Sequence, residues 1–367
     1  MSTKKFNENT LLVEKIKYFR ANSINRKFKF REMQLDKPVS FWIKEDRLLK
    51  KRGKEFAIIL RTKGCSWALG DFGGCSMCGY IQDSTIENID QIHIINQFNY
   101  ALQEKISEIT SDEEDFIIKI FNSGSFFDDN EISEDVREHI FKKIADVPKI
   151  KEVVIESRVD YITNEKLKKM KSILKNKYIE VAIGLETVDD YIRNRYINKG
   201  LKFKDFLDAI HLCKENEVGI RAYLLFKPPF LNEQTAIDDC VKSIQKLAEL
   251  KINTISINPV NIQKNSLVEY LFYQNRYRPP WFYSLFKSLL KAFKDSDILN
   301  SVRIISSPSG AGTKRGIHNC LKRECNEIMI KALKEFVLTQ NINFLIIKNS
   351  EYSCDCLLKY HLQKYFI

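Results

Sequence analysis

The sequence predicts an α/β fold, an open six-stranded version of the βα barrel, on three observations. Six short apolar runs rich in β-branched residues recur along the chain, segments of helical period separate them, and most runs end in a polar turn. The runs are 56–60, 116–121, 153–155, 179–183, 220–226 and 254–257, and the helices are expected near 90–109, 131–146, 163–176, 203–216 and 233–249. Strands alternating with helices pair in parallel through right-handed crossovers. The chemistry of such a barrel sits at the C-terminal ends of its strands. No glycine fingerprint for a dinucleotide follows the first run.

Ahead of the barrel, residues 1–54 form a basic extension. They hold sixteen Lys or Arg against six Asp or Glu, nearly all of the net charge of +11. Tyr18, Phe19, Phe28, Phe30, Phe41 and Trp42 are interleaved with those cations. Charge that holds phosphate beside rings that stack on bases suits an RNA partner, and a solvated, lysine-rich helix is the plainer reading. Residues 55–264 make the barrel, and 265–367 a smaller C-terminal region. No run approaches eighteen apolar residues, so no membrane span is expected. The start, Met1-Ser2-Thr3-Lys4-Lys5-Phe6, lacks the apolar centre of a secretory signal. Nine cysteines without such a signal point to reduced thiols, metal chemistry and the cytoplasm.

The first strand leads into a loop carrying Cys65, Cys75 and Cys78, spaced C-x9-C-x2-C, with five glycines within or beside it. Three thiolates with no fourth nearby suit a four-iron, four-sulfur (4Fe-4S) cluster with one iron left open, since full protein ligation takes four. An open iron is where a substrate or cofactor binds. C-x2-C is also half of a zinc site, and free cysteine is also a small buried apolar residue. Zinc calls for a fourth ligand close by, whereas the nearest histidine, His93, lies beyond the loop in an expected helix.

The later strand ends carry polar groups. Asn122-Ser123-Gly124-Ser125 follows the second strand, Glu156-Ser157-Arg158 the third and Gly184-Leu185-Glu186-Thr187 the fourth. Lys227-Pro228-Pro229 follows the fifth and Asn258-Pro259 the sixth. Ser123 and Thr187 also read as ordinary turn or cap residues. Carboxylates such as Glu156 and Glu186 directly after apolar strands are harder to explain without a site.

The cysteine loop, the Asn122-Ser123-Gly124-Ser125 turn, Glu156 and Gly184-Leu185-Glu186-Thr187 together resemble the radical S-adenosylmethionine (SAM) superfamily. The fold class is then a partial (β/α)6 radical SAM barrel with an N-terminal basic extension and a small C-terminal metal-binding region. The C-x9-C-x2-C spacing resembles the Elongator catalytic subunit variant. Across nearly the whole chain, motifs such as Ile155-Glu156-Ser157-Arg158, Phe226-Lys227-Pro228-Pro229-Phe230 and Gly312-Thr313-Lys314-Arg315-Gly316-Ile317-His318-Asn319-Cys320 resemble the archaeosine synthase radical SAM subunit family.

That resemblance implies a 4Fe-4S cluster on Cys65, Cys75 and Cys78. It puts Ser123, Gly124 and Ser125 against the SAM amine, Glu156 and Glu186 on SAM polar groups including the ribose, and Lys199 near the SAM carboxylate. The implied reaction is cleavage of the C–N bond of a lysine adduct on 7-deazaguanine at position 15 of tRNA, which leaves the formamidine group of archaeosine. The implied partners are tRNA, a subunit that adds the lysine, and an electron donor the sequence does not specify. Lys227 and Arg158 are candidate anchors for the lysine carboxylate or a phosphate. Other readings are a radical SAM enzyme acting on another RNA or a small molecule, and a non-enzymatic metal-binding RNA module.

The C-terminal region holds a second group of soft ligands, His318, Cys320, Cys325, Cys354 and Cys356, four of which would suffice for zinc. An auxiliary iron–sulfur cluster and unrelated cysteines are the other readings. Arg303, Lys314, Arg315, Lys322 and Arg323 make this region basic and suggest a metal-braced RNA surface. Cys213 and Cys240 fall in helical segments and are expected in the core.

Overall fold

The computed structural model describes residues 10–25, 30, 32–293, 298–347 and 354–366; Phe28 and the first six residues lie outside them. One eight-stranded sheet runs in sequential order. Its strands are β1 (Ser40–Arg47), β2 (Arg52–Leu60), β3 (Phe116–Asn122), β4 (Ile150–Glu156), β5 (Tyr178–Glu186), β6 (Gly219–Phe226), β7 (Thr254–Pro259) and β8 (Arg303–Ile305). β2 to β8 pair in parallel and β1 pairs antiparallel with β2, curling the sheet into a half barrel. β2 to β7 are the six expected strands, and β1 and β8 extend the sheet on either side.

The principal helices are α1 (Thr10–Ile24), α2 (Gln91–Ser111), α3 (Glu134–Ala145), α4 (Asn164–Leu174), α5 (Phe203–Glu215), α6 (Glu233–Glu249), α7 (Leu267–Tyr273), α8 (Phe282–Phe293), α9 (Arg323–Thr339) and α10 (Cys356–Gln363). The five expected crossover helices are α2 to α6. Side-chain caps begin three of them: Asp90 accepts from the Ile92 amide, Thr163 from Lys166 and Asn232 from Thr235. Helix α5 shows why the crossovers dock. Phe206, Ala209, Ile210 and Cys213 form one buried stripe at helical spacing. Cys213 and Cys240 are both buried in the core, as expected. That core is continuous from Phe56, Ile118 and Val153 on the sheet to Phe282, Leu285 and Phe336 on α8 and α9.

The inside of the half barrel is charged at its lower end. Lys119 sits 2.6 Å from Asp46 and 2.5 Å from Glu55. Arg303 sits 2.7 Å from Glu152 and 3.0 Å from Glu180, which Arg221 also meets at 2.8 Å. These side chains come from β1 to β6 and β8, and all are buried. Arg303 is therefore not part of a basic surface; it is 4% exposed and ion-paired within the barrel. β1 and β8 escape an apolar-run search because β1 ends in Lys44, Glu45, Asp46 and Arg47 and β8 is only three residues long. The free edge of β8 is capped by one side chain. Gln340 accepts from the Ile304 amide and donates to the Ile304 carbonyl, both at 2.8 Å, in place of a ninth strand.

Candidate active site

The cysteine loop leaves β2 at the C-terminal end of the sheet and is fixed from several directions. The Cys65 amide donates to the Ser123 carbonyl at 3.0 Å, tying the loop to the end of β3. Helix α1 reaches over it: Arg20 Nε donates to the Gly73 carbonyl at 3.0 Å and Nη2 to that of Cys78 at 2.9 Å. The segment after β5 holds the other side. The Ser76 amide donates to Ile197 at 2.8 Å, and the Asn198 side chain donates to the carbonyls of Phe72 (2.9 Å) and Gly74 (2.8 Å). Trp67 stacks on Phe72 and donates its indole N–H to the Asn198 carbonyl at 2.8 Å. Gly200, at φ +63°, lies against the Trp67 ring, where any Cβ would overlap the indole.

Cys65, Cys75 and Cys78 are each partly accessible and unbridged. They are close enough to act on one another electrostatically. Burial pushes the Cys75 thiol up to about 12 against the pull of Lys199, so its thiolate needs a cation to form. Three neighbouring thiols on one loop suit a cluster that keeps one iron open, as their spacing led one to expect.

Around that loop lie the expected SAM contacts. Lys199 Nζ is 2.6 Å from Glu186 Oε1. Burial alone would lower the Lys199 ammonium, but the Glu186 carboxylate and Cys75 outweigh it and hold it above the usual lysine range. Glu156, at the end of β4, is pushed up to about 7 by desolvation, opposed by a hydrogen bond from Tyr223 and by the Lys199 charge. The structure therefore gathers Cys65, Cys75, Cys78, Glu156, Glu186 and Lys199 at one barrel mouth. Ser123 Oγ donates to the Tyr80 carbonyl at 3.1 Å, and Ser125 Oγ accepts from the Arg158 amide at 3.1 Å.

One residue at the mouth has no motif to announce it. Glu131 accepts from the Ser125 amide (2.8 Å), Thr62 Oγ1 (2.8 Å) and Asn122 Nδ2 (2.9 Å). It thus fixes the shape of the turn at the end of β3. Burial raises its carboxyl to about 7. Gly124 has to be glycine here, because a Cβ would overlap the Glu131 carboxylate.

Arg158 and Lys227 reach the same end of the barrel with their charges already engaged. Arg158 lies over the Trp67 ring, pairs with Asp160 at 2.9 Å and donates to the Lys199 carbonyl at 3.0 Å. Lys227 is 2% exposed, 2.8 Å from Glu233, and donates to the Arg278 carbonyl at 2.9 Å. Burial lowers its ammonium below the usual lysine range.

The second ligand group forms without its histidine. The sulfurs of Cys320, Cys325, Cys354 and Cys356 all lie within 4.8 Å of one another. The ring of His318 instead sets Nδ1 2.7 Å from the Gly316 carbonyl. Of the basic residues around it, Arg315 pairs with Glu269 and Arg323 with Glu327.

No family model matches the chain. It is 41% identical over 322 residues to an uncharacterized protein of Methanocaldococcus jannaschii, covering 88% of this chain and 85% of that one. It is 37% identical over 335 residues to the archaeosine synthase subunit beta of Methanosarcina acetivorans, covering 91% of each. It is likewise 37% identical over 308 residues to that of Thermococcus kodakarensis, covering 84% of this chain and 92% of that one. Among solved structures, Elp3 of Methanocaldococcus infernus aligns with a TM-score of 0.47 at 15% identity, over 66% of this chain and 59% of that one. A parallel half barrel with three cysteines on the loop after its first parallel strand is the arrangement that the sequence's resemblance to radical SAM enzymes led one to expect. The chain belongs to the archaeosine synthase subunit beta family.

Proposed function

We propose that the chain is a radical SAM lyase of archaeosine biosynthesis. It would cleave the C–N bond of the lysine adduct on 7-deazaguanine at position 15 of tRNA and leave the formamidine of archaeosine. The observation that carries this reading is the convergence of Cys65, Cys75 and Cys78 with Glu156, Glu186 and Lys199 at one barrel mouth, in a chain aligned over 91% of its length with an archaeosine synthase subunit. A cluster on the three cysteines, with SAM on its open iron, would supply a 5′-deoxyadenosyl radical able to take hydrogen from the lysine carbon next to the nitrogen.

The remaining work falls to the protein. Lys199, held charged by Glu186, would meet the SAM carboxylate. Glu156 and Glu186 would accept from SAM polar groups, and the backbone of Ser123, Gly124 and Ser125, set by Glu131, would receive its amine. The buried, ion-paired layer below would close that end of the lumen and keep water from the reacting carbon. Arg158 and Lys227 are read as positioning residues. Arg158 fixes Trp67 and the 199–200 backbone, and Lys227 fixes the start of α6 through Glu233.

An RNA substrate would also find a cavity of about 280 Å³ where Lys314 Nζ lies over the Phe272 ring, a cation beside a ring of the kind that holds an unstacked nucleotide. The partner would be the subunit that installs the lysine.

The test is 5′-deoxyadenosine formation by anaerobically reconstituted protein with SAM and a strong reductant, with and without tRNA carrying the adduct. Strong stimulation by that tRNA together with loss of the lysine mass is expected. SAM cleavage that ignores the tRNA would leave the class in place and overturn the substrate.

A further inference from the structure

We infer that Cys320, Cys325, Cys354 and Cys356 bind a single zinc ion, separate from the barrel cluster, and that this ion fixes the C-terminal helix to the barrel mouth. The separation of the sulfurs argues for one ion. All four lie within 4.8 Å of one another, and Cys320 and Cys354 are 3.9 Å apart. Four thiolates at tetrahedral positions about one ion, with Zn–S of about 2.3 Å, stand roughly 3.8 Å apart. A four-iron cluster spreads its thiolates to roughly 6 Å, because each caps a different iron. None of the four is in a disulfide.

The surroundings match a closed structural site. Trp281, Tyr360, Tyr283 and Leu357 pack around the sulfurs, and the Tyr283 hydroxyl lies 3.2 Å from Cys356 Sγ, placed to donate to a thiolate. With all four positions filled by cysteine, no coordination site is left for substrate.

From the metal, contacts lead back to the mouth. Cys356 opens α10, and just beyond that helix the carbonyls of Lys364 and Tyr365 accept from the Gln234 amide (3.1 Å) and Asn232 Nδ2 (3.0 Å) at the start of α6. Next to them Glu233 holds Lys227 at 2.8 Å and accepts from the Trp281 amide at 3.3 Å. One ion thus clamps the end of the chain onto the residue pair that follows β6.

The test is metal analysis of the full chain and two variants, purified and reconstituted anaerobically. The wild type is expected to hold one zinc beside the cluster iron. A Cys65→Ala/Cys75→Ala/Cys78→Ala variant is expected to lose all iron and keep one zinc. Its zinc X-ray absorption is expected to show four sulfurs at about 2.3 Å. A Cys320→Ser/Cys356→Ser variant is expected to keep the iron, lose the zinc, and show faster hydrogen exchange at the start of α6. Iron retained by the first variant, or zinc well below one per chain in it, would overturn the assignment. Unchanged exchange at α6 in a zinc-free second variant would overturn the clamp. None of these readouts depends on SAM cleavage, so the site stands or falls apart from the proposed reaction.

Discussion

Replacing Arg303 by Met removes the guanidinium that two buried carboxylates share, at nearly constant volume. Glu152 and Glu180 lie 2.7 Å and 3.0 Å from it, and all three side chains are buried. Breaking a buried pair by removing one partner costs about 3–5 kcal/mol, because the other charge stays buried without its counter-ion. For 367 residues the unfolding entropy is roughly 0.8 kcal/mol/K, so Tm falls by about 4–6 °C.

The loss is expected to depend on pH. Burial alone would raise the Glu180 carboxyl, but Arg303 and Arg221 outweigh it and hold it below its ordinary value of 4.5. A depressed carboxylate contributes stability that is present above the unfolded value and lost as pH falls through the folded one. In Arg303→Met the same carboxyl rises and is relieved by protonation, so the gap between the two proteins is widest near pH 8 and closes toward pH 4. Thermal unfolding followed by circular dichroism at matched metal content reads this directly. A Tm difference that stays constant from pH 8 to pH 4, or one that widens toward acid, would show that packing rather than charge pairing is what Arg303 provides.

Other outcomes follow from the mouth of the barrel. Gly124→Ala is expected to displace the Glu131 carboxylate from three hydrogen bonds, cost about 2–4 kcal/mol, and abolish SAM binding measured by equilibrium dialysis. Glu131 titrates near 7, above its ordinary 4.5, so the folded state holds the extra proton and its stability falls as pH rises from about 4.5 to 7. Glu131→Gln should flatten that part of the Tm–pH curve. Asn198→Ala removes both bonds to the cysteine loop and leaves alanine at φ +59°; iron per chain after reconstitution is expected to fall at least twofold. Lys199→Met is expected to weaken SAM binding about tenfold or more, equivalent to 1.4 kcal/mol, with cluster iron retained.

Much of the architecture is legible in the chain because the helix-facing residues of the parallel strands are apolar. In β3, β5 and β6 the lumen charges Lys119, Glu180 and Arg221 are each flanked by such residues, Ile118 and Ile120, Ile179 and Val181, Ile220 and Ala222, so the runs survive. β1 and β8 leave no run, because Lys44, Glu45, Asp46 and Arg47 end the first and the second is three residues long. The cysteine spacing singles out the loop after β2 as a cluster candidate, because cluster ligation tolerates few substitutes. Glu131 leaves no such mark. It is one acid among 48 acidic residues, and only the turn at Gly124, folded back onto it, gives it a task. His318 shows the opposite failure: it sits two residues from Cys320 in sequence, but its ring turns to the Gly316 carbonyl rather than to the sulfurs.

The way the cysteine loop is held has a consequence for how the protein is made. The carbonyl of Gly74 is fixed by Asn198, 124 residues further along the chain. At 5–20 residues per second, a ribosome needs roughly 6–25 s to travel that distance. Throughout that interval the loop of the nascent chain can be held by Arg20 but has neither Asn198 nor the charge of Lys199. A cluster held as proposed would then be delivered after Asn198 and Lys199 are in place, and oxygen reaching the chain before that would meet bare thiols.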